Sequence, residues 1–99
     1  MAQFDVYAPA NGTALVVDIQ SDVLDGLATR AVIPLVPLQA APKPIIRLNP
    51  MMDVNGIAHS LMTDWMSAVP KSVLGQPVTN LAAHRDSIVS AVDMLVTGI

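Results

Sequence analysis

The 99-residue chain predicts a mainly β fold, a small antiparallel barrel or curled sheet closed by one C-terminal helix over 81–97. Three observations carry that expectation. Two Asn-Gly pairs each lie between short apolar runs, the runs alternate with a period of two, and only the segment beyond residue 80 spaces its apolar residues like a helix.

The first pair, Asn11-Gly12, separates QFDVY from ALVVDIQ. Asn-Gly supplies the positive backbone angles that a two-residue hairpin turn demands, so the two runs read as paired strands. In the second run Leu15, Val17 and Ile19 point to one face and Val16, Asp18 and Gln20 to the other. Asp18, Asp22 and Asp25 crowd what reads as a turn, where aspartate ordinarily bonds its own backbone. A further strand, AVIPL at 31–35, contains Pro34, which has no N–H to give a ladder and is therefore expected at an edge, a bulge or a strand end. Four prolines, Pro37, Pro42, Pro44 and Pro50, make 36–50 an extended surface loop. The second pair, Asn55-Gly56, predicts a hairpin between MMDV and IAHSLM. Around Trp65, TDWMSAVPKSVLGQPV reads as strand, loop and short strand. From an expected Asn80 cap, Leu81, Ile88, Val92, Leu95 and Ile99 line one side of the helix, flanked by Val89 and Val96. Asp86, Ser90, Asp93 and Thr97 form the opposite polar stripe.

Composition bounds the function. The chain is 53% hydrophobic and 13% charged, with a mean hydropathy of +0.53. One domain over 1–99 has too much surface for its volume to hide so much apolar material, so an obligate oligomer is expected, most simply a two-fold dimer. Every apolar stretch is broken by charge or proline before the roughly 18 to 20 residues that a membrane helix needs, so no membrane span is expected. The start, MAQFDVYAP, has neither a basic n-region nor an apolar h-region and does not read as a signal peptide. No cysteine is present, in keeping with a reducing cytoplasm. The net charge is −3, and the cations Arg30, Lys43, Arg47, Lys71 and Arg85 are scattered, which argues against direct nucleic-acid binding.

Nothing in the spacing points to catalysis or to a cofactor. His59 shares a strand face with Ile57 and Leu61 and reads as a satisfied, half-buried histidine rather than a metal ligand. His84, Arg85 and Asp86 read as a solvated first helical turn. No nucleophile elbow, phosphate loop or paired-carboxylate signature occurs. Met51, Met52, Met62, Met66 and Met94 read as fillers of core or interface gaps.

Several blocks together are more specific than any of these. QF-VY at Gln3 to Tyr7, VDIQSDVLD at 17–25, R-VIPL from Arg30 to Leu35, MTD at 62–64, SAVPKSVLG at 67–75 and the closing Gly98-Ile99 resemble the CcdB family of toxins from bacterial toxin–antitoxin modules, with the weakest match at 36–50. The resemblance implies an SH3-like curled antiparallel sheet of about five strands, a small second sheet and a C-terminal helix, assembled as a homodimer. It also implies a cytoplasmic protein that catalyses nothing. Such toxins insert between the two A subunits of DNA gyrase and trap the enzyme on cleaved DNA, and a protein antitoxin neutralises them.

Carried over position by position, the resemblance places the gyrase contact at Val23, Leu24, Asp93, Thr97, Gly98 and Ile99. The antitoxin contact falls at Ala8, Pro9, Ala10, Asn11, Lys43, Ile46 and Arg47, and the dimer interface at Met94, Leu95, Val96 and Ile99. Two positions depart from the family pattern. Toxic members carry tryptophan where this chain has Thr97, and asparagine where it has Asp93. Truncating an interface tryptophan typically costs about 2 to 4 kcal/mol. A dimeric CcdB-like binding protein that no longer poisons gyrase is thus the second reading. An endoribonuclease of the MazF kind is the third, with Arg30 and Arg85 as its candidate catalytic cations.

Overall fold

The computed structural model describes residues 1–10, 12 and 14–99. Among these residues seven strands form one curled antiparallel sheet: β1 (Asp5–Tyr7), β2 (Leu15–Asp18), β3 (Thr29–Pro37), β4 (Met51–Val54), β5 (Ile57–Leu61), β6 (Ser67–Pro70) and β7 (Thr79–Asn80). A helix, α1 (Arg85–Thr97), ends the chain. The strand order is β4-β5-β3-β2-β1-β7, and β6 branches from β3. Where about five strands and a small second sheet were expected, the described residues show a single sheet of seven, because β6 branches from β3 and the two-residue β7 pairs with β1.

The long β3 organises the molecule. One edge pairs with β2, from Leu15↔Leu35 to Asp18↔Val32. The other edge is shared: β6 takes Thr29 to Val32, and β5 takes Leu35 to Pro37. Pro34 lies inside this central strand, which corrects the expectation of an edge, bulge or strand end. Its carbonyl accepts from Met62 N on the shared edge, 2.9 Å away. In an antiparallel strand a residue's N–H and C=O face the same neighbour, so the missing N–H of Pro34 falls in the gap between β6 and β5, where no ladder bond is lost.

Both faces of β2 and β3 are buried. Val6, Val17, Ile33 and Leu35 meet Met52, Leu61, Leu81, Ile88 and Ala91 on the face that α1 covers. On the opposite face Tyr7, Val32 and Leu74 form a smaller cluster, with Val16, Val69 and Val73 against it. Asp18 belongs to this second face, fully buried within β2 as the alternation with Val16 predicts, and is not part of the turn that its crowding with Asp22 and Asp25 suggests.

The β4–β5 hairpin forms as expected, with Val54 opposite Ile57 and positive φ at both Asn55 (51°) and Gly56 (86°). Those angles are the signature of a type I′ turn. The Asn11-Gly12 turn lies partly outside the described residues, although β1 and β2 pair on either side of it. Around Trp65 the chain makes a 3₁₀ turn (Thr63–Trp65) before β6 and a second (Lys71–Val73) after it. The 36–50 stretch is irregular beyond Pro37 except for a 3₁₀ turn at Leu38–Ala40.

The helix is shorter at its start than expected. The anticipated Asn80 cap is not made: α1 follows a 3₁₀ turn (Ala82–His84), Leu81 and His84 hold the two N-cap positions, and Asn80 Oδ1 accepts from Ala82 N at 2.7 Å as a local turn contact before them. Of the anticipated apolar side, Leu81 and Ile88 enter the core with Ala91, and Val92 packs against them, whereas Leu95, Val96 and Ile99 are exposed. No helix among the described residues is long and apolar enough to cross a membrane.

Candidate functional site

The turn after β2 is built from polar contacts. Ser21 caps a 3₁₀ turn (Asp22–Leu24), its Oγ accepting from Val23 N at 3.3 Å. Every residue from Ser21 to Thr29 is exposed, and Val23 is 91% accessible, with Leu24 and Leu27 about half exposed. Large apolar side chains held out on a small protein mark a contact surface when they cluster.

Beneath the turn lies Arg30, completely buried with Asp18. Its Nε and Nη2 both donate to Asp18 Oδ2 at 2.7 Å, and Nη1 donates to Asp25 Oδ1 at 3.1 Å. Asp18 Oδ1 accepts from Gln20 N at 3.0 Å, so both carboxylate oxygens are used. A charge pair removed from water is tolerated only with such complete bonding. Arg30 is therefore committed to two carboxylates and cannot face a phosphate, which removes one of the two cations of the endoribonuclease reading. The pair was legible in principle: once Asp18 sits opposite Val32, Arg30 is its diagonal neighbour on the same face.

At the other candidate surface, the helix end closes on itself. Gly98 adopts a left-handed conformation (φ 77°), and its N–H donates to Met94 O at 3.0 Å. Thr97 Oγ1 donates to Asp93 O at 2.6 Å and itself accepts from Ile99 N at 3.4 Å. The last carbonyls thus find partners locally, which leaves the apolar side chains free of a capping role. Val96 is 74% and Ile99 79% accessible, beside a half-exposed Leu95 and a more sheltered Met94. No hydrogen bond or ion pair among the described residues joins this end to the Val23–Leu24 turn.

The residues assigned to antitoxin contact separate into two regions. Pro9 and Gly12 line an apolar cavity of about 300 Å³ with Val16, Pro34, Val69 and Leu74, while Ala8 and Ala10 are exposed beside it. Asn11 lies outside the described residues. In the 41–50 loop Lys43, Ile46 and Arg47 are all exposed. Arg47 adopts a left-handed φ of 72° and donates from Nε to Ser90 Oγ at 2.7 Å. That bond ties the loop to α1, so part of the helix's polar stripe is covered by the loop. Asn49, which the spacing did not single out, holds the loop in place. Its Oδ1 accepts from Ile45 N, and its Nδ2 donates to Leu61 O and Asp64 Oδ1, all within 3.1 Å.

His59 is buried, its Nδ1 2.8 Å from Ile57 O, and so is occupied by its own strand. Of the methionines, Met52 and Met62 are core residues, whereas Met51 lies exposed on β4.

This arrangement, a half-barrel with one helix and two exposed apolar projections, agrees with what the sequence blocks resemble. A family model described as "CcdB protein" matches residues 3–98, nearly the whole length. The chain belongs to the CcdB family.

Proposed function

We propose that this protein is the toxin of a type II toxin–antitoxin module, acting as one domain and a cytoplasmic homodimer that binds the A subunit of DNA gyrase and traps the enzyme on cleaved DNA. It would do so without catalysing a reaction and without a cofactor. The observation that carries the reading is the exposure of Val23, Leu24 and Ile99 on a chain of this family. Val23 and Leu24 on the turn, and Asp93, Thr97, Gly98 and Ile99 at the helix end, form the gyrase contact. Met94, Leu95, Val96 and Ile99 form the dimer contact. The cavity beside Pro9, with Ala8, Ala10 and Asn11, and the loop surface of Lys43, Ile46 and Arg47 receive the antitoxin.

The test is direct. Purified protein mixed with gyrase from the same organism, ATP and supercoiled DNA should accumulate protein-linked linear DNA. Addition of the neighbouring gene's product should abolish it. Neither gyrase binding nor trapped cleavage under these conditions would sink the proposal.

One observation favours a second reading, in which the dimer and antitoxin binding persist without gyrase poisoning. Thr97 folds its hydroxyl back onto Asp93 O and offers a small surface where a tryptophan anchor would stand. The Asp93 carboxylate is exposed one helical turn away, an added negative charge at a contact where the family carries a neutral side chain. On this reading Thr97→Trp gains gyrase affinity without altering the oligomeric state, and toxicity of the unmodified chain excludes it.

A further inference from the structure

The 21–29 segment poses a physical problem, because it is exposed throughout and contributes no side chain to either core, yet it is to present three apolar side chains in a defined way. A segment without packed side chains has little to offset its conformational entropy. What holds it is a set of polar bonds that converge from below. Arg30 reaches Asp25 Oδ1 with Nη1 and Gln20 O with Nη2, the latter at 3.4 Å. Gln20 in turn spans strand and turn: its Oε1 accepts from Ala31 N, and its Nε2 donates to Leu24 O, both at 3.1 Å. On the far side Lys71 donates from Nζ to Asp25 O and from its backbone N–H to Ala28 O.

Stability alone is a weak reason for the buried pair. Replacing a buried ion pair with apolar residues of similar volume is often neutral or stabilising. An apolar pair could not, however, extend from a fully buried position to a carboxylate that is 54% exposed and to a backbone carbonyl of the turn. A planar guanidinium with several fixed donors can.

The geometry points to Arg30 as a positioning residue: through Asp25 and Gln20 it holds the 21–28 turn in the conformation that projects Val23, Leu24 and Leu27. This rests on the reading of Val23 and Leu24 as partner contacts, and adds Leu27 to them. Ordering the turn in advance removes an entropic cost that binding would otherwise bear.

Removing Arg30 itself strands Asp18 in the core, so the test uses the outer contacts. Asp25→Ala leaves the Arg30–Asp18 pair intact, and Gln20→Met removes the bonds to Leu24 and Ala31. In both variants amide hydrogen exchange at Leu24, Asp25 and Leu27 should accelerate about three- to tenfold, while Leu61 and Met62 in the sheet stay unchanged. Affinity for the gyrase A subunit should fall by a similar factor. In a double-mutant cycle, Val23→Ala should cost less in the Asp25→Ala background than alone, because a loosened turn has already lost part of what Val23 contributes. Unchanged exchange in both variants overturns the proposal, and so does strict additivity in the cycle. Failure of the unmodified protein to bind gyrase refutes the functional reading instead, and the exchange measurement still decides whether the clasp orders the turn.

Discussion

Tyr7 is buried in the smaller core, with its hydroxyl 3.4 Å from Asp5 Oδ2. Burial, with the Asp5 carboxylate next in importance and Asp18 beyond it, pushes its phenol up from 10.0 to about 12, against the opposing pull of Arg30. The proton is therefore held more tightly in the folded chain than in the unfolded one. The resulting stabilisation is complete below pH 10.0 and is lost as pH rises through about 12. Melting temperatures measured from pH 8 to 12 should fall more steeply for the unmodified protein than for Tyr7→Phe, and parallel curves would contradict this. Single residues are also where sequence reading was least informative. The clustering of Asp18 with Asp22 and Asp25 suggests a turn as strongly as the alternation suggests a strand, and Asn49, an asparagine among prolines, looks like any loop residue. Each is defined by partners distant along the chain, Arg30 for one and Leu61 and Asp64 for the other.

Elements are more legible in the sequence, because their signals are local. The Asn55-Gly56 hairpin follows from the positive φ that both residues adopt. A Cβ at Gly56 would meet no atom within 4 Å, so a substitution there is disfavoured by backbone conformation and not by crowding. Gly56→Ala should destabilise the fold by about 1 kcal/mol, measurable as a lower denaturant midpoint with an unchanged slope. A neutral result would show that the hairpin accepts another turn. Pro34 marks the limit of this kind of reading. The rule that proline avoids central strands holds for its N–H, and only the division of one β3 edge between β5 and β6 shows that no neighbour requires that N–H. The helix start likewise depends on context, since Asn80 belongs to β7 and its Nδ2 donates to Asp5 Oδ1 of β1 and to Gln3 O, and a 3₁₀ turn intervenes before α1.

On the scale of the whole molecule, apolar residues left outside both cores argue for assembly. Leu95, Val96 and Ile99 project from the end of α1 without entering either cluster. If they meet their symmetry mates, light scattering should give twice 10.4 kDa for the unmodified chain. Val96→Asp brings two carboxylates together at the axis, and like charges in such a contact cost several kcal/mol, so the dimer dissociation constant should rise about a hundredfold or more. Cooperative melting of that variant as a folded monomer would show that the contact lies outside the core. A mass of 10.4 kDa for the unmodified protein would remove the dimer from the functional proposal.

Sequence by itself determined the mainly β class, the second hairpin, the C-terminal helix and membership of the family, because these depend on alternation, turn chemistry and ordered blocks of residues that are contiguous in the chain. Only the folded arrangement shows that β3 is shared between two neighbours, that Arg30 is buried against Asp18 and Asp25, and that polar bonds from Arg30 and Gln20 reach the apolar turn above. Those outcomes join residues that are far apart along the chain or lie on different strands. They follow from which strands the closed sheet brings side by side, and no local pattern encodes that.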